Sequence, residues 1–163
     1  MPAYTPVLAT LGYVLSPDSD SVLLIHRNTR PDDIHFGKYN GLGGKLDRGE
    51  DVVAGLRREI REEAGIEAEE LALRGTISWP GFGKGGEDWF GFIFRVDGWS
   101  GTPFAGNHEG ALEWISLARL PELNMWESDR LWLPMVFERT PHQFHGVMPY
   151  HQGQMVSWAY TLI

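Results

Sequence analysis

The 163-residue sequence contains no cysteine, and this absence excludes disulfide bonds, thiolate metal sites and cysteine nucleophiles. It also has no apolar run long enough to span a membrane. The fairly apolar stretch from Val7 to Leu15 lacks the basic leader and the small-residue cleavage site of a signal peptide, so we expect a cytoplasmic protein. Basic residues are few, since 14 Lys and Arg stand against 22 Asp and Glu and give a net charge of −8. We therefore expect no long nucleic acid as a partner, because polynucleotide binding depends on basic side chains that neutralise phosphates.

The remaining composition is that of an ordinary globular protein. Hydrophobic residues make up 42% and charged residues 22% of a chain whose length suits one domain with one proper core, so we predict a single domain over residues 1–163. Seven Trp and twenty Gly are high counts, which indicate aromatic pocket walls and many turns. We expect a monomer or a small homo-oligomer.

Short strands dominate the predicted secondary structure. Alternating or continuous apolar runs bounded by turn residues predict strands at Tyr4–Leu15, Ser21–His26, Leu71–Trp79, Trp89–Val96, Ala111–Ile115, Gly146–Tyr150 and Met155–Leu162. The segment SPDSD between the first two runs favours a turn and therefore a hairpin.

Two segments have helical periodicity. Val52–Ala64 places apolar residues at spacings of three and four and is followed by Gly65, which commonly ends a helix. Glu127–Arg139 is a second amphipathic segment, although Pro134 lies in its middle. In this second helix we predict that three apolar side chains point inward: Leu131, Met135 and Val136. Two helices beside many short strands predict an α+β fold, because the helices must cover a sheet face.

Three glutamates crowd one face of the first predicted helix. Glu59, Glu62 and Glu63 stand at positions i, i+3 and i+4, where like charges repel one another. Arg58 can pair with Glu62 but cannot neutralise three carboxylates. Clustered oxygen ligands beside the glycine turn Gly41–Gly44 favour a hard cation such as Mg²⁺, whereas the simpler alternative is a solvated acidic helix face.

The spacing of these residues matches a known motif. From Gly44 the sequence follows the pattern G-x5-E-x7-R-E-U-x-E-E-x-G-U to Ile66, where U is an aliphatic residue, with no departure at any position. The chain therefore resembles the Nudix hydrolases. This resemblance implies a mixed sheet between helices, the Nudix α/β/α sandwich. It also implies an enzyme that requires Mg²⁺, with Mn²⁺ as a substitute ion, and that cleaves the pyrophosphate link of a nucleoside diphosphate joined to another group.

Outside this motif, the Nudix box from Gly44 to Ile66, the sequence resembles the MutT-like and mammalian 8-oxo-dGTPase branch, which hydrolyses oxidised purine nucleoside triphosphates. Five local features carry this likeness in the same order and at similar separations: Thr10, Asn40, Glu109 ahead of Trp114, the pair Met125-Trp126, and Phe144-His145-Gly146. Each is short and individually weak. Together they extend the resemblance over most of the chain.

The resemblance implies roles for the charged residues. Glu59, Glu62 and Glu63 would hold Mg²⁺ with the help of the Gly43 carbonyl, and Arg58 would orient the glutamates. Glu109 would be a further metal ligand or the general base. Two basic residues that flank the glycine turn, Arg27 and Lys45, are candidates for contact with the triphosphate, although an exposed surface role is nearly as common for such residues.

The base-binding residues are where the sequence departs from the branch that it resembles. In the mammalian enzyme the Met-Trp pair is followed by two adjacent aspartates, and here Ser128 takes the place of the first while Asp129 is retained. An ionised Asp129 would accept hydrogen bonds from N1–H and the exocyclic amine of guanine, whereas adenine offers an acceptor at N1. Asn40 would add a donor and an acceptor. Three tryptophans are candidates for stacking on the base, a contact worth about 1–3 kcal/mol: Trp126, with Trp79 or Trp89.

The sequence thus predicts hydrolysis of 8-oxo-dGTP or a related guanine nucleotide to the monophosphate and pyrophosphate. A broad pyrophosphatase that acts on other nucleoside triphosphates, RNA 5′ ends, dinucleoside polyphosphates or nucleotide sugars would need the same box. A nucleotide-binding regulator without turnover is a second alternative, which the complete set of box residues disfavours. The six histidines show no metal-ligand spacing, and we expect them to be surface or hydrogen-bonded residues.

Overall fold

A computed structural model describes residues 1–163. It contains two α-helices, α1 (Val52–Ala64) and α2 (Leu133–Phe137), and two short 3₁₀ helices at Leu117–Glu122 and Asp129–Leu131. The twelve strands are β1 (Val7–Leu15), β2 (Ser21–His26), β3 (Tyr39–Asn40), β4 (Leu42–Lys45), β5 (Glu67–Trp79), β6 (Trp89–Ser100), β7 (Gly106–Asn107), β8 (Gly110–Ser116), β9 (Phe144–Val147), β10 (Tyr150–His151), β11 (Gln154–Met155) and β12 (Ala159–Leu162). Neither α-helix has the length and hydrophobicity of a membrane-spanning segment.

Ten of the strands form one mixed sheet in the order β12-β9-β5-β6-β1-β2-β8-β7, with β3 beside β2 and β4 beside β1. The pairs β1–β6 and β5–β9 are parallel, and the other pairs are antiparallel. The predicted hairpin forms, since β1 and β2 pair in the register Val14↔Leu23. The predicted α+β class with a mixed sheet is therefore confirmed.

Alternation along the central strands divides the core into two layers. Val14 and Leu23 belong to a buried cluster that packs against α1. Their neighbours Tyr13 and Leu24 point to the opposite face and join a second cluster beneath α2. Successive side chains of a strand point to opposite faces, so the sheet is covered on both sides by helical segments.

Helix α1 has the predicted bounds, and its ends explain them. The Asp51 side chain accepts hydrogen bonds from the backbone N–H groups of Val53 and Ala54 at 2.9 and 2.8 Å, which caps the first turn. Gly65 ends the helix in the left-handed region at φ 72°, where glycine is favoured. The apolar face is buried, with Leu56 and Ile60 fully inside the core.

The predicted helix over Glu127–Arg139 is wrong. The segment forms the 3₁₀ turn Asp129–Leu131 and then only the five residues of α2, with Pro134 in its first turn. Proline has no N–H to donate to the preceding turn, so the chain cannot continue one helix through it. Leu131 is 44% exposed instead of inward, while Val136 is fully buried as predicted and Met135 partly so. The core position is taken by Trp132.

Several predicted strands have different bounds. Strand β1 begins three residues later than expected, β5 begins at Glu67 and β6 extends to Ser100. The two C-terminal extended runs each break into shorter strands, because residues 150–155 form the separate β10–β11 hairpin between β9 and β12. The last strand, β12, is the outer edge of the sheet.

Candidate active site

The structure packs the C-terminal half of α1 against the glycine turn, as the sequence suggests. A Cβ atom on Gly44 would lie 2.6 Å from the carboxyl carbon of Glu59, so this glycine makes room for the carboxylate. A side chain on Gly43 would collide with the backbone of Thr10 in the neighbouring strand. Thr10 itself is buried beside both glycines, and its hydroxyl has no hydrogen-bond partner. The turn therefore requires glycine because helix and strand approach closely.

Glu63 lies one helical turn after Glu59, and its carboxylate is close enough to Glu59 and Glu109 to feel their charges. Burial, followed by the charges of Glu109 and Glu59, raises the pKa of Glu63 well above its usual value, and a backbone hydrogen bond from Gly43 opposes this only in part. Glu109 reaches the helix from the turn between β7 and β8. Asn107 anchors that turn, because its Nδ2 donates to the Glu63 carbonyl oxygen and its Oδ1 accepts from the Glu109 N–H, both at 2.9 Å.

Arg58 is the basic centre of the acidic cluster. Its guanidinium donates to both oxygens of Glu50 at 3.1 and 2.6 Å, to Glu59 at 2.9 Å, to Glu62 at 3.4 Å and to the Lys45 carbonyl oxygen at 3.1 Å. The hydrogen bonds from Arg58 lower the pKa of Glu50 to about 2. Glu59 is largely covered, but the Glu62 side chain is 59% exposed and lies at the outer rim. Arg58 thus holds the carboxylates of Glu50 and Glu59 in fixed orientations.

The donor set suits a hard divalent cation. Glu59, Glu63 and Glu109 offer carboxylate oxygens, which are the ligands that Mg²⁺ prefers, and a cation would relieve the repulsion among them. No group of three or more acidic, histidine or cysteine side chains is already arranged to hold a metal ion. The carboxylates therefore fit a cation by chemistry and burial, and coordination requires their side chains to rotate toward it.

A small cleft opens on the other face of the sheet. Its cavity volume is only about 10 Å³, which is room for about one water molecule, so a base can enter only if side chains of the wall move. The cleft is lined by Tyr13, Leu24, Tyr39, Asn40, Gly41, Met125, Asp129 and Leu133. Asn40 and Asp129, the two predicted base-reading residues, are thus brought together from positions 89 residues apart in the chain. Burial raises the pKa of Asp129 to about 7, and the Arg130 and Lys38 cations oppose this rise only in part.

One short stretch of backbone joins the cleft to the glutamates. Asn40 pairs with Ile25 in β2, and Gly44, four residues later, pairs with Thr10 in β1. A fully extended chain rises about 3.3 Å per residue, so the Cα atoms of Asn40 and Gly44 lie at most about 13 Å apart. Both ends are hydrogen-bonded into the sheet, which holds the separation fixed.

Trp126 is not among the residues that line the cleft, although it follows Met125, which is. Its indole N–H donates to Nδ1 of His35 at 2.8 Å, and the Lys38 ammonium lies 4.6 Å from the centre of its ring. Burial and the nearby Arg27 cation lower the pKa of His35, which is consistent with a neutral ring that accepts at Nδ1. Trp126 is therefore held at the rim, with one face covered by Lys38.

Trp79 and Trp89 lie apart from the cleft, in an aromatic cluster at the ends of β5 and β6. Phe82 packs against both indoles at 6.1 and 6.2 Å and against Tyr150 at 5.2 Å. Tyr150 connects this cluster to the cleft wall, since its hydroxyl donates to Ser128 Oγ at 2.8 Å.

The two candidate phosphate-binding cations have partners within the protein. Arg27 Nε donates to Asp33 Oδ2 at 2.7 Å, and its Nη1 lies 3.2 Å from Glu109 Oε2. The Lys45 ammonium lies 5.4 Å from the centre of the Trp89 ring. Arg27 therefore adjoins the carboxylate cluster directly, whereas Lys45 stands on the side of the aromatic cluster.

Sequence reasoning missed several residues that organise this site. Glu50 has a fixed place in the motif, but its bidentate contact with Arg58 follows only from the folded loop. Asn107 and Tyr150 have weak signals, an Asn beside Gly in a turn and an aromatic residue near the C-terminus. Asp33 and His35 lie in a polar loop whose composition shows no periodicity, and the side-chain partner of His35, Trp126, is 91 residues away in the chain.

Replacing Gly44 with alanine should lower kcat by about ten- to hundredfold, because the new methyl group must displace the Glu59 carboxylate and misplaced catalytic groups have effects of this size. The melting temperature should change little, since a side-chain terminus can rotate away. Gly98→Ala is a matched control, because its Cβ would lie 2.8 Å from the carboxyl carbon of the exposed Glu70, far from the site. Equal activity of the two variants would show that the position of Glu59 does not matter for turnover.

Comparison with known proteins agrees with this architecture. The sequence profile of the NUDIX domain matches residues 5–136. The chain is similar to an oxidized purine nucleoside triphosphate hydrolase of Danio rerio, with 33% identity over 136 residues that cover 83% of each chain. A protein of the same name from Mus musculus is 33% identical over 103 residues, which cover 63% of this chain and 65% of that one.

Among solved structures, a MutT protein from Bacillus halodurans superposes with a TM-score of 0.80 at 26% identity. The superposition covers 94% of this chain and 97% of the other. This similarity confirms the predicted fold, and it extends far beyond the motif around α1.

Proposed function

This chain belongs to the NUDIX family of hydrolases, which act on small nucleotide substrates, and we propose that it hydrolyses a purine nucleoside triphosphate to the monophosphate and pyrophosphate with 8-oxo-dGTP as the preferred substrate. The observation that carries this proposal is the fixed segment from Asn40 to Gly44. It joins a cleft with base-reading groups to a carboxylate cluster, at a separation that suits a base at one end and phosphates at the other.

Base recognition rests on two polar side chains in an otherwise apolar cleft. Asn40 offers a donor and an acceptor, and ionised Asp129 offers two acceptors to the N1–H and amine edge of guanine. A buried polar site of this kind discriminates against bases that leave its groups unpaired. The apolar wall supplied by Tyr13 and Met125 would cover the ring.

The phosphate end would be held at the carboxylate cluster. A bound Mg²⁺ ion, held by Glu59, Glu62 and Glu63 with the Gly43 carbonyl, would neutralise charge on the phosphoryl oxygens. Arg58 keeps two of these carboxylates oriented through its hydrogen bonds to Glu59 and Glu62. Glu109, on a turn anchored by Asn107, is placed to accept a proton from water as the water oxygen attacks phosphorus and the bond to pyrophosphate breaks.

A broader pyrophosphatase is the second candidate, and Ser128 favours it. A hydroxyl that is hydrogen-bonded to Tyr150 replaces a carboxylate, so fewer charged groups read the base. On this alternative the enzyme would cleave other nucleoside triphosphates, RNA 5′ ends, dinucleoside polyphosphates or nucleotide sugars with the same carboxylates.

Pyrophosphate release from 8-oxo-dGTP, dGTP, 2-oxo-dATP and dATP in the presence of Mg²⁺ tests the proposal. We expect kcat/KM for 8-oxo-dGTP to exceed that for dATP by at least about tenfold, since one charge-assisted hydrogen bond to the base is worth roughly 1.5–3 kcal/mol. Similar values for all four nucleotides would favour the broad pyrophosphatase. Binding without any release of pyrophosphate would favour a regulator.

A further inference from the structure

One carboxylate in the loop between β2 and β3 is linked to two separate parts of the site through its two partners. Asp33 is nearly buried, with 7% of its side chain exposed, and each of its oxygens has a different partner. Oδ2 accepts from Arg27 Nε at 2.7 Å, and Oδ1 accepts from the backbone N–H of His35 at 3.0 Å. Burial disfavours its charge, but these hydrogen bonds and the Arg27 cation hold the pKa of Asp33 below its usual value. Asp33 therefore remains an anion that orders the loop.

The first partner leads to the carboxylate cluster. The guanidinium of Arg27 is planar, so a hydrogen bond to Nε fixes the direction of the whole group. With Nε held by Asp33, Nη1 lies 3.2 Å from Glu109 Oε2. The Glu109 side chain is 24% exposed and sits on a turn, where it has freedom to rotate without this contact.

The second partner leads to the rim of the base cleft. The Asp33 carboxylate holds the backbone of His35, and Nδ1 of that ring accepts the indole N–H of Trp126 at 2.8 Å. The two rings meet edge to face, 5.6 Å apart and at 89°. Lys38, at the end of the same loop, covers one face of the indole.

We propose that Asp33 is a positioning residue that sets Glu109 through Arg27 and Trp126 through His35. A single side chain is then linked both to the turn that carries Glu109 and to the rim of the base cleft. This inference rests on the proposed function, because it gives Glu109 the role proposed above and Trp126 the stacking role that the sequence predicts. It adds that their relative placement depends on a loop carboxylate that contacts neither base nor phosphate.

Two substitutions at Asp33 separate the two contacts. Asp33→Asn keeps an oxygen for the His35 N–H but presents an uncharged amide to Arg27. It therefore weakens only the link through Arg27 to Glu109. Asp33→Ala removes both. We expect Asp33→Asn to lower kcat about tenfold with KM unchanged, and Asp33→Ala to lower kcat similarly and also to weaken binding of the product 8-oxo-dGMP about threefold or more in calorimetry.

The neighbouring Asp32→Asn is a matched control, because Asp32 is exposed and has no hydrogen-bond partner within the protein. It should leave kcat, KM and product binding within about twofold of the wild type. Thermal melting of all three variants checks that the fold is kept. A loss of kcat in Asp32→Asn equal to that in Asp33→Asn would overturn the proposal, since the effect would then belong to loop charge in general.

A double-mutant cycle tests whether Asp33 acts through Glu109. In the Glu109→Gln background, Asp33→Asn should cause no further loss of kcat, because the residue that it positions has already lost its charge. The same tenfold loss in both backgrounds would overturn the proposal. A structural role that merely stabilises the loop would give that additive result.

Nuclear magnetic resonance of the nucleotide-free protein provides a readout that does not depend on the substrate. The Arg27 Nε–H resonance should shift in both Asp33 variants, and the Trp126 indole N–H resonance, assigned with Trp126→Phe, should shift strongly in Asp33→Ala only. An unchanged Trp126 resonance in Asp33→Ala would show that Asp33 does not position Trp126 through His35. If the wild type releases no pyrophosphate from 8-oxo-dGTP, the proposed function fails, whereas these resonances still decide the positioning role of Asp33.

Discussion

Glu63→Gln should reduce kcat for pyrophosphate release by a hundredfold or more, which is the scale seen for catalytic acids, bases and charge-stabilising groups. Glutamine keeps the shape of the side chain but cannot be an anion. Partial burial of Glu63 and the charges of its neighbours Glu109 and Glu59 raise its pKa and so disfavour its ionised form. It is therefore the carboxylate whose negative charge the site keeps only if a cation balances it.

The fold should survive this change. Without divalent cations the Glu63→Gln protein should melt at the same temperature as the wild type or higher, because a buried ionisable group has been made neutral. Added Mg²⁺ should raise the melting temperature of the wild type and have little effect on the variant. Glu67→Gln is the control, since this carboxylate follows the same helix and pairs with Arg61 while 50% exposed. Turnover of Glu63→Gln near the wild-type rate would show that the metal assignment is wrong.

Asp129→Asn should produce the second largest effect, a loss of about ten- to hundredfold in kcat/KM for guanine nucleotides with a much smaller loss for adenine nucleotides. The change removes a charged acceptor from a buried cleft, and hydrogen bonds to charged groups contribute roughly 1.5–3 kcal/mol. The four-nucleotide panel measures the change in preference. Glu127→Gln, two residues earlier in the chain and 87% exposed in its pair with Arg130, should leave the preference intact.

The same residue should give a pH signature. Its pKa is raised to about 7 by burial, so the ionised form that accepts from the guanine edge becomes dominant only above that pH. KM for 8-oxo-dGTP should therefore fall as pH rises from 6 to 8 in the wild type and stay flat in Asp129→Asn.

Stability should move in the opposite direction. A carboxyl whose folded pKa lies above its unfolded value is bound to a proton more often in the folded state, so the free energy of unfolding falls as pH rises from about 4 to about 7. That decline should be smaller in Asp129→Asn. A KM profile that is identical in the two proteins would exclude Asp129 from base recognition.

The parts of this site that the sequence predicts are those encoded locally. Helix α1 carries its own cap, apolar face and terminal glycine within 15 residues, so its bounds and its acidic face follow from spacing alone. The cleft required the resemblance to a family, because Asn40 and Asp129 meet only after the sheet has formed. The prediction of a long second helix was wrong because Pro134 cannot donate a backbone hydrogen bond within it, despite the apolar periodicity around it.

Contacts between distant loops left no pattern in the sequence. Asp33 is linked through Arg27 to Glu109, which lies 76 residues later in the chain. His35 contacts Trp126, 91 residues later, directly. The stacking candidates Trp79 and Trp89 were chosen by residue type, and the structure instead gathers them around Phe82. Residue type indicates which side chains can stack on a base, while position in the sheet decides which of them are near it.

The backbone from Asn40 to Gly44 also bears on how this enzyme could be redesigned. Its two ends are fixed to adjacent strands, and the side chains around Asp129 approach from the face of the sheet opposite α1. We therefore expect that substitutions at Ser128 and Asp129 would leave the glutamates of α1 in place, whereas Met125, Trp132 and Leu133 belong to the core and must be kept. By contrast, we expect that a change in the number of residues between Asn40 and Gly44 would shift the base cleft relative to the carboxylates, and so would affect every base at once.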